Sequence, residues 1–333
     1  MVLRLRLTNN CNLSCHYCFL KDALNSPEED HLSVDEWKKV LSFLPRTMIV
    51  DIAGNEPFLA KNFEDILTLL LDKRCKVSLI TNGMMIDEQL IRKMIKKKLS
   101  YLMVSLDGLQ MTHNRLRGNG DSFANAVTFI KKVNQLKKEM GSSKPIICVK
   151  TALTEDGAED LVRLQDFIFD ELQVDQHTIN LLFQNKGRGG NRLVTDVDDL
   201  TKLPGNTQVF SKVALAPLKW TLAKLTGRKN VNVKPPMKPS NWEYYLEKPS
   251  DFGVKNCMRP YSVLTMYFDG RITPCDLALN LGNIRDFNYN LRKVWKSPQF
   301  FSFWKKYHDA GRQMAACEGC NMALQTRKTS SLH

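Results

Sequence analysis

Six strand-like runs alternate with helices through the first half of the chain, and that alternation limits the architecture more than any other feature. Strands are predicted over Leu3–Thr8, Met48–Ala53, Cys75–Thr81, Tyr101–Leu106, Pro145–Ala152 and His177–Phe183. Helices are predicted between them over Val34–Leu44, Phe63–Asp72, Glu88–Lys98, Phe123–Glu139 and Glu159–Glu171. The first helix opens on Ser33-Val34-Asp35-Glu36, a capping box in which serine and glutamate side chains satisfy each other's free N–H groups. Strands separated by helices imply a parallel sheet with right-handed crossovers. Chemistry in such folds gathers on the loops at the carboxyl ends of the strands. The unusual residues lie there: the Cys11–Cys18 loop after strand 1, Gly54-Asn55-Glu56-Pro57 after strand 2, Thr81-Asn82-Gly83 after strand 3 and Ser105-Leu106-Asp107-Gly108 at the end of strand 4.

The alternation stops near Gln184. Gln184–Ser250 is rich in Gly, Pro, Asn and Lys and reads as a linker with a lid, interrupted by a helix over Lys212–Leu225; long connections of this kind commonly carry function. From Tyr261 a hairpin is predicted, Tyr261–Phe268 and Arg271–Pro274 around a tight Asp269-Gly270 turn. A helix over Leu291–Tyr307 and a Cys-x-x-Cys knuckle complete the chain. The organisation expected is therefore 1–185, 186–250 and 251–333.

With 43% hydrophobic residues in 333, the chain is not disordered or collagenous. Its longest apolar runs, such as Ile66–Leu71, are far short of a bilayer span. The alternating Met1–Leu7 reads as a strand and not as a signal peptide. The net charge of +13 resides largely on lysine-rich helix faces such as Lys96-Lys97-Lys98. No nucleic-acid motif accompanies it, so a nucleic-acid partner is not expected; the charge suits an anionic small substrate or an acidic partner.

Nine cysteines, an odd number without an export signal, argue for reduced thiols or metal ligands in the cytoplasm and against disulfides. Cys11, Cys15 and Cys18 form Cys-x3-Cys-x2-Cys just after a strand. Three thiolates this close can cap three irons of a [4Fe–4S] cubane and leave the fourth open. Zinc is the competitor, but structural zinc takes four ligands, and His16 lies between the cysteines where it is hard to turn inward. Cys257, Cys275, Cys317 and Cys320 can complete a closed site for zinc or a second cubane. Cys75 and Cys148 read as buried thiols of the core. If Lys150 faces the lumen, Cys148 shares its face and becomes a candidate hydrogen-atom donor, the catalytic group of an epimerase.

The Cys-x3-Cys-x-aromatic-Cys loop, with Tyr17 as its aromatic, resembles the radical S-adenosylmethionine (SAM) superfamily over about residues 1–185. The resemblance implies an α/β fold, a partial (β/α)6 parallel-strand barrel with a small C-terminal α+β iron–sulfur domain. Gly54-Asn55-Glu56-Pro57 resembles the family's Gly-Gly-Glu-Pro, which holds the SAM amino group, with Asn55 in place of the second Gly. Thr81, Asn82, Ser105 and Asp107 match positions that meet the ribose, Arg117 lies in a stretch found in many members, and Lys150 is the candidate partner of the SAM carboxylate. The C-terminal order of Cys, hairpin glycine, Cys, helix and Cys-x-x-Cys resembles the Twitch domain, a shortened relative of the SPASM domain. It implies one auxiliary [4Fe–4S] cluster on Cys257, Cys275, Cys317 and Cys320, two clusters in all.

Likeness to this superfamily implies a radical SAM oxidoreductase. Such an enzyme cleaves SAM reductively and uses the deoxyadenosyl radical to take hydrogen from a substrate, with an electron donor such as flavodoxin or ferredoxin. The chain leaves no room for a leader-recognition domain before Met1–Leu7, which tilts the expectation to a small polar substrate of sugar, cyclitol or nucleotide type. Lys186, Arg188 and Arg192 would meet its charge. The alternatives are a peptide-modifying maturase or epimerase, and a non-catalytic module in which the cysteines hold zinc.

Overall fold

The computed structural model describes residues 1–181, 183–184, 207–208, 218, 221–222, 224–225, 228–234, 258–275 and 279–309. The strands and helices of the first half are β1 (Val2–Arg6), α1 (Val34–Ser42), β2 (Ile49–Ile52), α2 (Phe63–Asp72), β3 (Lys76–Thr81), α3 (Glu88–Lys96), β4 (Tyr101–Ser105), α4 (Gln110–Arg117), α5 (Ser122–Glu139), β5 (Ile146–Leu153), α6 (Glu155–Asp166) and β6 (Gln176–Leu181). A short antiparallel pair comes next, β7 (Phe183–Gln184) and β8 (Thr207–Gln208), then β9 (Val231–Lys234), β10 (Val263–Tyr267) and β11 (Ile272–Pro274). The main sheet runs β11-β10-β1-β2-β3-β4-β5-β6-β9 and stays open. β1 to β6 are parallel in chain order, as the alternation predicts.

Local signals account for most boundaries. Ser33 Oγ accepts from Glu36 N while Glu36 Oε2 accepts from Ser33 N at 2.8 Å, so the capping box forms. Asp87 caps α3, and Thr154 caps α6 by accepting from Gly157 N at 3.1 Å. That cap starts α6 four residues before the predicted Glu159, and the helix passes into a π turn over Phe167–Glu171. Gly157 belongs inside the helix for a packing reason: a Cβ there would lie 2.8 Å from the carbonyl oxygen of Asp107. The predicted helix Leu291–Tyr307 is two, Leu291–Val294 and Pro298–Asp309. Proline opens the second because it cannot continue the first, and Ser297 Oγ takes the N–H of Phe300. α4 lies where the sequence carries no predicted helix; it stops at Gly118, in the left-handed region at φ 67°.

Alternation within each strand divides the sheet into two faces. Leu3, Leu5, Val50, Ile52, Val77, Leu79, Leu102, Val104, Ile147, Val149 and Ile179 turn to one side, at most 1% exposed, where Trp37, Leu70, Ile91, Phe129 and Leu164 of the helices cover them. Burial of each such side chain stabilises by roughly 1.5–3 kcal/mol. Cys75 packs in this core as expected. The buried His177 is satisfied: it meets Thr151 Oγ1 at 2.8 Å and Gln165 at 2.6 Å, and burial holds its imidazole down at about 3.

The other face carries Arg4, Asp51, Ser105, Cys148, Lys150, Thr178 and Lys234, brought into line by strand pairing. The C-terminal hairpin forms with Gly270 at φ 86° in its turn, and β10 pairs in parallel with β1, so it extends the same sheet. No helix among the described residues is long and apolar enough to cross a membrane. The 186–250 segment for the most part, including Lys186, Arg188, Arg192 and much of Lys212–Leu225, lies outside the described residues, as do Cys257, Cys317 and Cys320.

Candidate radical SAM site

The cysteine loop leaves β1 and is tied down at three places. Thr8 Oγ1 donates to Glu28 Oε1 at 2.6 Å, Cys11 N donates to Asn25 Oδ1 at 2.9 Å, and His16 N donates to the carbonyl of Leu116 in α4 at 3.1 Å. Glu28, Asn25 and α4 are supports that motif spacing does not reveal. They sit outside the cysteine motif, and only the closed fold brings them to it.

Cys11, Cys15 and Cys18 are half-buried, unbonded thiols in this loop. Burial pushes the Cys11 thiol up to about 11, and Glu56 and the neighbouring cysteines push the same way. Burial also raises Cys15, against the pull of Arg117. Protons must therefore leave when metal arrives. Two donors are aimed at the sulfurs: Arg117 Nη1 lies 3.8 Å from Cys15 Sγ, and Asn82 Nδ2 lies 4.0 Å from Cys11 Sγ. Donors to cysteine sulfur are among the groups that set the potential of an iron–sulfur cluster. Among the described residues no three His, Cys, Asp or Glu side chains converge as a single metal ion requires. In a cubane each thiolate binds a different iron. The thiol triad and the donors on its sulfurs fit a [4Fe–4S] cluster held on three of its irons.

Beside the loop, Gly54 and Asn55 both take positive φ, 97° and 51°. Asn55 thus adopts the left-handed conformation that a glycine would, which asparagine tolerates, and its Nδ2 donates to Asn9 O at 2.6 Å, tying this turn to the cysteine loop. Glu56 is fully buried. Its carboxylate accepts from Phe58 N at 3.2 Å, Thr81 Oγ1 at 2.9 Å and Asn82 N at 2.8 Å. Burial raises the carboxyl to about 7, in opposition to these hydrogen bonds and to Arg117. Pro57 starts a short 3-10 turn that aims the Phe58 amide back at Glu56.

Asp107 takes a different part from the ribose contact expected of it. It is wholly buried, and its oxygens are committed: Oδ2 accepts from Tyr17 Oη and, at 2.6 Å, from Arg117 Nε, while Oδ1 accepts from Ala152 N at 2.9 Å. Its own N–H donates to His113 Nδ1 at 3.0 Å. Burial alone would raise this carboxyl, but Arg117 and the hydrogen bonds outweigh it and hold it below the usual range. Burial sends the Tyr17 hydroxyl well above its ordinary value, and the Arg117 guanidinium lies 5.7 Å from the Tyr17 ring centre. Tyr17, Asp107 and Arg117 are brought together, then, as a brace under the Cys15–Cys18 turn.

Ser105 and Lys150 pair across β4 and β5 on the open face, and Cys148 lies one step back on that face, its Sγ 3.4 Å from Thr178 Oγ1. Burial raises the Cys148 thiol and lowers the half-buried Lys150 ammonium to about 8, helped by Arg4 and Lys234. Cys275 directly succeeds β11, buried at φ 55°, its N–H held by the carbonyl of Val263 at 2.9 Å.

A family model described as the radical SAM superfamily matches residues 5–165, and one described as an iron–sulfur cluster-binding domain, SPASM, matches residues 257–321. The Sporulation killing factor maturation protein SkfB of Bacillus subtilis is 25% identical over 84% of this chain and 61% of its own length. The chain thus spans about three fifths of that relative. The PqqA peptide cyclase of Bradyrhizobium diazoefficiens is 21% identical over 96% of this chain and 78% of its own. The SuiB structure from Streptococcus suis, solved with S-adenosylmethionine and with the precursor peptide SuiA, superposes with a TM-score of 0.62 at 16% identity over 96% of this chain and 72% of that one. At that identity the likeness is one of fold.

Proposed function

Because this chain belongs to the radical SAM superfamily and carries a C-terminal SPASM domain, we propose that it is a maturase that modifies a ribosomally made precursor peptide. The observation that carries the reading is that relatives aligned along most of the chain are a sporulation killing factor maturation protein and a peptide cyclase by name. The expectation of a sugar, cyclitol or nucleotide substrate gives way to the peptide alternative on that ground.

Cys11, Cys15 and Cys18 would hold the SAM-binding cluster, and Cys275 with Cys257, Cys317 and Cys320 an auxiliary one. A bound, reduced cubane with one open iron supplies the electron that cleaves SAM and so gives the deoxyadenosyl radical that takes hydrogen from the peptide. The chain supplies the rest. Asn82 and Arg117 donate toward the cysteine sulfurs. Glu56 presents a buried carboxylate for the ammonium of SAM, and Thr81 and the Asn82 amide orient it. Lys150 would take the SAM carboxylate, and Ser105 beside it would meet the ribose. The covered core face of the sheet keeps water from one side of the site. Cys148, on the open face, is placed to return a hydrogen atom if the outcome is epimerisation. Flavodoxin or ferredoxin in a reducing cytoplasm would supply the electron. The division at 1–185, 186–250 and 251–333 would assign the SAM-binding cluster to the first part and the auxiliary cluster to the last, while β9 and β10 of the later parts join the sheet of the first.

The test uses the full chain, reconstituted anaerobically. Two cubanes require about eight irons per chain. The chain is then incubated with SAM, reductant and, in separate reactions, deuterated candidate precursor peptides from short reading frames near its gene and deuterated sugars or nucleotides, and the products are read by mass spectrometry. The reading expects deuterium in deoxyadenosine and a changed peptide mass, both lost in Cys15→Ser. An unaltered peptide, with deuterium arriving from a sugar or nucleotide instead, refutes it.

A further inference from the structure

The open face of the sheet holds more positive charge than the cofactor requires. Pairing of β5 with β6 and of β6 with β9 sets Lys150 beside Thr178 and Lys234 beside Asn180, all on the face opposite the apolar core. Pairing of β1 with β2 sets Arg4 beside Asp51 on the same face. Asp51 is the only acidic residue that the described strands turn to this face, and Arg4 Nη2 lies 3.6 Å from it. Lys150 and Lys234 are both half-buried, and neither ammonium has a hydrogen bond or ion pair among the described residues. Arg259, in the short helix leading into β10, has its Nε buried and unpartnered.

These groups feel one another. Burial lowers the Lys234 ammonium, Arg259 adds to that, and Asp51, Cys148 and Arg4 also act on it. Lys150 is lowered by burial first and then by Arg4 and Lys234. A half-buried cation without a partner is costly, and clustered cations cost more. A chain keeps such a cluster at little cost only if an anion arrives to neutralise it. SAM brings one carboxylate, which Lys150 can take. Lys234 then remains for a second anion. Lys234 is the last residue of β9, at the carboxyl end of the sheet, the end from which the cysteine loop leaves β1.

We propose that Lys234, on the open face at the carboxyl end of β9, is a subsite for a carboxylate of the substrate peptide, from an acidic side chain or the chain end, next to the residue that is modified. The inference rests on the peptide reading and narrows it to a precursor with a carboxylate close to the site of hydrogen abstraction.

Binding, and not turnover, tests it, so that failure of the subsite is separate from failure of the maturase reading. The full chain, cluster-loaded and SAM-saturated, is titrated with three fluorescently labelled probes. These are acetyl-Gly-Glu-Gly-Glu-Gly-amide, its Gln counterpart, and the Gln counterpart with a free C-terminus. At least one carboxylate probe should bind about tenfold tighter than the neutral one, the scale of one charge-assisted hydrogen bond. Preference for the first names a side chain as occupant; preference for the third names the chain end. Lys234→Gln should abolish the preference, Lys234→Arg should keep it, and Lys131→Gln with Lys138→Gln on exposed positions of α5 should leave it unchanged. In the unaltered protein the favoured probe should slow acylation of Lys234 severalfold and the neutral probe should not. Equal binding of all three probes, no binding, or a preference that survives Lys234→Gln overturns the proposal.

Discussion

Glu56→Gln gives the sharpest test of the site. The carboxyl is raised from 4.5 to about 7, chiefly by burial. At about 1.4 kcal/mol per unit, that displacement amounts to about 3 kcal/mol of stability. A raised folded value means that the folded chain keeps a proton which the unfolded chain has released. Below pH 4.5 both states are protonated and the full stability is present. Between 4.5 and about 7 the folded state binds more protons, so stability falls as pH rises. Above about 7 the loss is complete. The assay is urea unfolding of the SAM-free protein at a series of pH values, comparing the wild type with Glu56→Gln. Below pH 4.5 the variant is less stable by about 1–3 kcal/mol, because its amide opposes the Asn82 N–H, and the gap closes as pH rises. The slope is therefore the readout: the wild type should lose about 3 kcal/mol more than the variant across this range. SAM, whose ammonium favours the ionised carboxylate, should bind the wild type more tightly as pH rises through 7. Parallel pH profiles for the two proteins would refute the claim that Glu56 is a buried, proton-holding carboxylate.

Arg117→Met should cost about 3–5 kcal/mol, because it strands the buried Asp107 charge; Arg117→Met/Asp107→Asn should recover part of that, and strictly additive losses in denaturant unfolding would count against the brace. In the reconstituted double variant, loss of the donor on Cys15 should move the cluster's midpoint potential to more negative values, and an unchanged redox titration would remove Arg117 from cluster tuning. Arg285→Ala should cost about 1 kcal/mol near neutral pH, a figure held low because Arg285 is about a third exposed. Hydrogen bonds from Arg285 hold the Glu36 carboxyl at about 2. That contribution is present above 4.5 and is lost as pH falls through about 2, so the difference between the wild type and Arg285→Ala should shrink in acid; a constant gap would show that Glu36 is not its partner.

Local signals in the sequence determined the core strands, most helix boundaries, the capping box at Ser33 and the thiol triad, because apolar period, caps and motif spacing act over a few residues. Asn55 was legible as a departure from glycine, but only its backbone angle and its bond to Asn9 show that asparagine serves there. The start of α6 at Glu155, before the predicted Glu159, shows only once the Thr154 cap and the carbonyl of Asp107 against Gly157 are seen. The tertiary structure alone decided that β10 lies beside β1, that Asp107 braces Tyr17 and Arg117, and that Lys150 and Lys234 share one face. Those outcomes depend on which distant strands pair and in what register. A shift of one residue would carry every side chain to the other face, and no local pattern sets that choice.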